Sequence, residues 1–215
     1  MKKSRLGEMY HRFHSMNNKY GFVHHLTTKG GFFRKEIGTG KRVLDLGSRD
    51  GTLASLLVDS NKVTCLDIDF EGLNLCREKT KAEVVWHDLN DPLPFRDAEF
   101  DVVLLSDVLE HVIMNDQLVQ ECYRVLRDGG IFLGSTPNAY FWSNRIKMLL
   151  GIDLIRYIDP THVRHFSLDS LRDLIGGVFS LIEILPYGRH RLARVLPRIF
   201  ASDFMWKALK KGGPR

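Results

Sequence analysis

The run Val43-Leu44-Asp45-Leu46-Gly47-Ser48-Arg49-Asp50-Gly51 reads as a strand that ends in a tight glycine turn, with a helical pattern over Thr52–Leu57 behind it. Glycine lets a backbone approach a ligand closely, and a helix start offers free N–H groups to it. Any tight strand-to-helix turn can use such glycines, so the run alone specifies little. Asp67 sharpens it. It closes Val63-Thr64-Cys65-Leu66 and lies 20 residues after Gly47. At that spacing an acid on a second strand reaches the two hydroxyls of a ribose. A helix cap is the plainer role for such an acid, but Asp69, just before Phe70-Glu71-Gly72, is the better cap. His87-Asp88-Leu89 closes a third apolar run. Asp88 could accept from an adenine amino group and the Leu89 N–H could donate to a ring nitrogen; an ordinary turn aspartate is the alternative. Asp107-Val108-Leu109-Glu110-His111 then sets two acids and an imidazole at i, i+3 and i+4, one face of a helix start. His111 is the candidate general base; lining a pocket or capping a helix are its plainer roles.

These residues need a sheet to position them. Strand-like runs at Val43–Leu46, Val63–Ile68, Glu83–Trp86, Asp101–Ser106 and Ile131–Ser135 alternate with helical patterns at Glu71–Thr80 and Asp116–Leu126. Gly129-Gly130 is read as the stop of the second helix. Solid apolar strands alternating with helices predict a parallel sheet covered on both faces, with ligands at one strand edge. Residues 1–42 are a helical lead-in and 43–135 the core. Residues 136–166, with Pro137, Gly151, Pro160 and a helix at Phe141–Leu150, are an insertion over the pocket. Residues 167–215 hold a helix at Leu168–Ile175 capped by Ser167, then strands at Leu181–Leu185 and Asp203–Ala208. The whole is one domain. His and aromatic residues collect in both flanks: Tyr10, His11, His14, Tyr20, His24 and His25 before the core, and Tyr140, Trp142, His162 and His165 after it. Such flanks cover a pocket, although scattered histidines are commonly mere surface or core.

The 215 residues carry a net charge of +5, unevenly spread. Residues 1–42 hold 10 Lys/Arg against 2 Asp/Glu, residues 43–139 hold 8 against 18, and residues 140–215 hold 13 against 6. Basic ends attract anionic substrates or lipid surfaces, or simply offset an acidic middle. The run Arg189, Arg191, Arg194, Arg198 with Phe200, Phe204 and Trp206 suits peripheral membrane contact; nucleic acid is not expected. No apolar run approaches the ~20 residues of a membrane span, and no signal-type apolar stretch follows the basic Met1–Arg5. Cys65, Cys76 and Cys122 are far apart and predict buried thiols in the reducing cytoplasm rather than disulfides or a zinc site.

The ordered series VLDLGSRDG, LDID, HDLNDPLPFRDAEFDVV, SDVLEHV and RVLRDGGIFLGSTPN resembles class I S-adenosylmethionine (SAM) dependent methyltransferases of the type 11 sort, over residues 40–185. The continuation DPTHVRHFSLDSLRDLI is similar to ubiquinone-biosynthesis O-methyltransferases and to methyltransferases of polysaccharide or lipid precursors. The resemblance implies a Rossmann-like, doubly wound, seven-stranded, mostly parallel α/β sheet with an antiparallel last strand. It implies SAM as cofactor. Asp45, Gly47, Ser48 and Gly51 would hold its methionine part, Asp67 the ribose, Ile68 the adenine face, and Asp88 and Leu89 the adenine edge. The Ser106 carbonyl would take the amino group. Asp107, Glu110 and His111 resemble an acidic-acidic-His metal triplet, with His162 or His165 as a fourth ligand for Mg²⁺ or Mn²⁺, but relatives carry LEHV without metal and none is assigned. The family usually has glycine at Arg49 and often cysteine at Ser48. Arg49 would pair with the SAM carboxylate or crowd the site. The implied reaction is methyl transfer to a small-molecule or lipid- or sugar-linked acceptor, anionic if the basic flanks read it, at oxygen. The alternative is a catalytically silent SAM-binding regulatory protein. A nicotinamide oxidoreductase fits poorly, since Arg49 stands where Gly-x-Gly-x-x-Gly needs its second glycine.

Overall fold

The solid apolar runs become the centre of one sheet. The strands are β1 (Arg42–Leu46), β2 (Lys62–Asp67), β3 (Glu83–Trp86), β4 (Phe100–Ser106), β5 (Leu126–Pro137), β6 (Ser180–Tyr187) and β7 (Asp203–Leu209). A computed structural model describes residues 5–153, 159, 161–188 and 191–212. Met1–Ser4, Pro160 and Arg189 lie outside the described residues. The strand order is β3-β2-β1-β4-β5-β7-β6, with β7 antiparallel to both neighbours and the first five strands parallel. This is the expected doubly wound sheet with an antiparallel last strand.

The period of two explains why the runs are apolar throughout. Leu44, Leu46, Leu66, Val103 and Leu105 point to one face, under α4 (Asn115–Val125) and α6 (Leu168–Gly176). Val43, Val63, Cys65, Val102 and Leu104 point to the other, under α2 (Leu26–Ile37) and α3 (Phe70–Thr80). All three cysteines are buried free thiols. α1 (Arg5–Met16) completes the helical lead-in, and α5 (Trp142–Leu149), α7 (Leu192–Val195) and α8 (Pro197–Phe200) lie in the later part of the chain. The Asp69 side chain caps α3 by accepting from Gly72 N at 3.1 Å, and Ser167 caps α6 in a reciprocal box with Ser170.

Three local expectations are corrected. Thr52–Leu57 forms only a 3₁₀ turn at Ala54–Leu56. Residues 107–111 are not a helix start. Asp107 takes a left-handed φ of 55° and a 3₁₀ turn covers Leu109–His111, so the three side chains do not share a helical face. Gly129-Gly130 does not stop α4. That helix ends at Val125 because Leu126 already pairs with Phe100, and the glycines lie inside β5 near an irregularity of register.

Direction reverses between β1 and β4. The chain winds outward through β2 and β3 on one side and through β4 and β5 on the other, which opens a crevice at the carboxyl ends of β1 and β4. One packing constraint holds β7 against this frame. Gly134 of β5 pairs with Trp206 of β7, and the fully buried indole lies across the glycine. A Cβ there would collide with the ring and come within 2.5 Å of the Leu105 carbonyl oxygen. Gly134→Ala is expected to destabilise the fold by about 2 kcal/mol or more through overpacking, read as a lower urea midpoint at unchanged slope.

Candidate active site

A cavity of about 420 Å³ fills the crevice, within the range of roughly 300–1,000 Å³ typical of small-molecule sites. Asp45, Gly47, Ser48, Arg49, Asp67, Ile68, Asp88, Leu89, Ser106 and His111 all line it. Gly51 does not.

The turn after β1 works differently from the expectation of free N–H groups. Gly47 N and Ser48 N donate to the Leu66 carbonyl at 2.8 and 3.1 Å, and Gly51 N donates to Ser48 O at 2.9 Å. Arg49 N donates to Asp67 Oδ2 at 2.7 Å. These N–H groups brace the turn against β2. Gly47 (φ 72°) is required because a Cβ would strike the Val108 isopropyl group. Gly51 (φ 71°) faces α3, where a Cβ would lie 2.6 Å from Cys76 Sγ. Asp45 is buried beside this turn, its Oδ2 has no partner among the described residues, and burial holds its carboxyl well above the usual range. An orphaned acid lining a cavity fits a ligand with a donor group to offer it.

Asp67 uses one lone pair of each oxygen on the backbone, accepting from Asp69 N at 2.8 Å and Arg49 N at 2.7 Å. Each oxygen keeps further acceptor capacity. Burial raises its pKa, against the pull of those two N–H groups. Trp86 Nε1 props the Ile68 carbonyl at 2.9 Å. Asp88 Oδ1 accepts from both the backbone and side-chain nitrogens of Asn90 at 2.9 Å, and Asn90 Oδ1 accepts from Ile113 N at 3.0 Å. The β3 loop is thereby tied to the segment that carries His111.

At the other end, the fully buried Lys29 ammonium donates to Asp107 Oδ1 and Oδ2 at 2.7 and 2.6 Å and lies 3.2 Å from Asp203 Oδ1. Burial pulls its pKa down, but the two carboxylates outweigh that and raise it. Beside this cluster Glu110 is buried. Its Oε2 accepts from Thr136 Oγ1 at 2.9 Å and its Oε1 has no partner among the described residues. Burial, helped by Asp107, pushes its pKa up to about 8. His111 Nδ1 lies 3.2 Å from Thr161 O and 3.0 Å from Thr161 Oγ1, and burial lowers its pKa. His162 packs edge-on to His111 with ring centroids 4.7 Å apart, and burial lowers its pKa to about 4. Glu110, His111 and His162 bring nitrogen or oxygen atoms within 4.8 Å of one another. Asp107 is not in that group, since Lys29 holds its carboxylate, and His165 turns its Nδ1 to Arg164 O.

The lead-in closes the cavity. Leu6, Tyr10, Phe13 and His14 of α1 line it. His14 Nδ1 and the Tyr20 hydroxyl both reach Asp69 Oδ2, at 2.9 and 2.6 Å. Gly21 N donates to Asp50 Oδ2 at 2.8 Å. Arg49 adopts a left-handed φ of 49°, and its guanidinium donates to the Phe22 carbonyl while its Nε lies 3.6 Å from Asp50 Oδ1. The side chain is thus drawn to the lead-in.

Residues 44–134 match the family model for a methyltransferase domain. The chain matches that model over less than half of its length. It is similar to a probable S-adenosylmethionine-dependent methyltransferase of Mycolicibacterium smegmatis, 36% identical over 137 residues that cover 63% of this chain and 50% of the relative. It is also similar to a ubiquinone biosynthesis O-methyltransferase of Vibrio atlanticus, 33% identical over 130 residues, 57% of this chain and 55% of the relative. The chain thus spans about half the length of the curated relatives it matches. Among solved structures, a SAM-dependent methyltransferase from Thermotoga maritima aligns with a TM-score of 0.74 at 18% identity, covering 95% of this chain and 99% of that one. That likeness concerns the fold.

The sequence reading missed Lys29 and Asp203. A lysine beside Gly30-Gly31 and an acid opening the last strand carry no local signal. Their pairing makes a strong expectation. Lys29→Met leaves Asp107 and Asp203 without their cation and should cost about 3–5 kcal/mol of stability in urea unfolding. Adding Asp203→Asn should recover part of the loss.

Proposed function

We propose that this chain is a SAM-dependent methyltransferase that moves the methyl group to a small-molecule or lipid- or sugar-linked acceptor, at oxygen. The observation that carries the reading is the continuity of one cavity from Asp67, Asp88 and Leu89 at the ends of β2 and β3, past Asp45 and Gly47, to His111. SAM supplies a methyl group already activated on a sulfonium, so the protein needs no nucleophile. Asp67 would hold the ribose hydroxyls with its remaining lone pairs. Ile68 would lie against the adenine, and Asp88 and Leu89 would read its edge. Asp45, with Ser48 and the Ser106 carbonyl, would face the methionine part. Gly47 shapes the turn, and Gly51 supports it from behind.

Orientation is the main catalytic resource, worth ~7–11 kcal/mol when reacting atoms are held in line. An oxygen acceptor must also lose a proton. The Thr161 carbonyl can only accept, so the bond to it places the proton of His111 on Nδ1 and leaves the Nε2 lone pair free. Burial favours that neutral form, and a neutral imidazole can take the acceptor proton.

Two measurements test the assignment. Asp67→Ala, removing charged hydrogen bonds worth about 1.5–3 kcal/mol, should weaken SAM binding roughly 10–150-fold in calorimetric titration, with no binding of NAD by the parent protein. His111→Ala should bind SAM as the parent does but lose turnover on the acceptor found by incubating lipid and metabolite extracts with labelled SAM. Turnover at the parental rate would remove His111 as the base. Tight SAM binding by the parent with no labelled product would instead favour the silent SAM-binding protein.

A further inference from the structure

We propose that α5 together with α7 and α8 forms a docking surface for an anionic lipid bilayer. α5 has no buried residue. Trp142, Ile146 and Leu149 recur at i, i+4 and i+7 and so share one face, and Leu150 extends it. All four are exposed, Leu149 at 86% and Leu150 at 71%. A helix of a folded domain normally buries such a stripe. The second segment repeats the pattern. Leu192, Val195 and Leu196 are exposed, Val195 at 73%. The two segments adjoin, because Arg145 of α5 donates to the carbonyl of Arg198 in α8 at 3.2 Å.

Charge identifies the occupant. Residues 140–152 and 188–202 contain no Asp or Glu. Arg145, Arg191, Arg194 and Arg198 stand among the apolar side chains, with Arg198 also paired to Asp169 at 2.7 Å. Apolar tips interleaved with long cationic side chains suit the boundary between acyl chains and phosphate headgroups. No helix among the described residues is long and apolar enough to cross a membrane, so the contact would be peripheral. The surface also adjoins the cavity. Pro137, which precedes α5, and Ser202, which follows α8, both line it. The surface is argued from exposure and charge and stands apart from the methyl-transfer reading.

Sedimentation of the full chain with vesicles tests it. Vesicles of phosphatidylglycerol and phosphatidylcholine in equal parts should bring the protein down, and pure phosphatidylcholine vesicles should not. Raising salt from ~0.1 M, where charges are screened beyond ~10 Å, to ~0.5 M should release most of it. Leu149→Asp with Val195→Asp should abolish binding at unchanged melting temperature. Arg191→Ser with Arg194→Ser should weaken it about tenfold or more, at the strength each cation contributes near an anionic surface, and it decides the matter if the aspartate pair melts early. The proposal is overturned by a protein that stays in the supernatant, by equal binding to both vesicle types, or by variants that bind as the parent does. It is equally overturned by a parent dimer that the aspartate pair dissociates, since the patch would then belong to a second copy of the chain.

Discussion

The ammonium of Lys29 sits between the carboxylates of Asp107 and Asp203, and the end of the cavity that carries Glu110 and His111 is built around it. The three residues come from α2, from the end of β4 and from the start of β7, far apart in sequence. A buried lysine is tolerated only when its partners offset the loss of water, and here two acids do so. Ser135 Oγ adds a third bond to Asp107 at 2.9 Å, and Asp107 N donates to the Ser135 carbonyl at 2.9 Å. These contacts hold Asp107 in a left-handed conformation that a non-glycine residue adopts at a cost. The kink turns the chain immediately before Glu110 and His111. The placement of those two side chains therefore depends on an ion pair anchored in the helical lead-in.

The lead-in is accordingly part of the site rather than a decoration of it. Its second anchor is beside Asp67, where His14 and Tyr20 converge on Asp69, the cap of α3. Its third is Arg49. Glycine would adopt the left-handed φ of this position freely; arginine does so under strain and in exchange ties its guanidinium to the Phe22 carbonyl. The choice between pairing with a ligand carboxylate and crowding the site thus has a further physical answer, because much of the side chain is engaged in closing the turn against Phe22 and Asp50. Together the anchors lay α1 across the mouth, so a ligand in the cavity is covered by Tyr10 and Phe13.

How much of this was legible in the sequence follows from range. Strands buried on both faces announce themselves as solid apolar runs, so β1, β2, β3 and β4 fell within a residue or two of their places, and a parallel sheet followed from the alternation with helices, while the antiparallel last strand came from the family resemblance. The position of Asp67, Asp88 and Leu89 at the cavity was legible because Asp67 ends β2 and the other two closely follow β3, and strand ends in such a sheet converge. Side-chain partners across long separations were not legible. Lys29 and Asp203 lie at opposite ends of the chain, and nothing local marks either. Residues 107–111 misled for a related reason. Spacing of i, i+3 and i+4 implies a shared face only if the backbone is helical, and the long-range pair at Asp107 bends it otherwise. Gly51 misled too, since a turn glycine serves equally for a ligand or for a neighbouring helix, and here the neighbour is Cys76.

The electrostatics of the cavity separate its two ends. Burial raises the pKa of Asp45, Asp67 and Glu110 and lowers that of His111 and His162, so desolvation favours the neutral form of each. Explicit countercharge stands on Lys29 against Asp107 and Asp203, on Arg49 and Lys79 against Asp50, and on Lys19 against Asp159. Such a cavity presents acceptors and donors in a poorly solvated space, where each satisfied hydrogen bond counts for more than it would in water. Basic residues of the C-terminal flank lie elsewhere, in and beside α5, α7 and α8. On the docking proposal, recognition of an anionic surface would be divided from recognition in the cavity, and an acceptor would not itself need to be anionic to be reached from that surface.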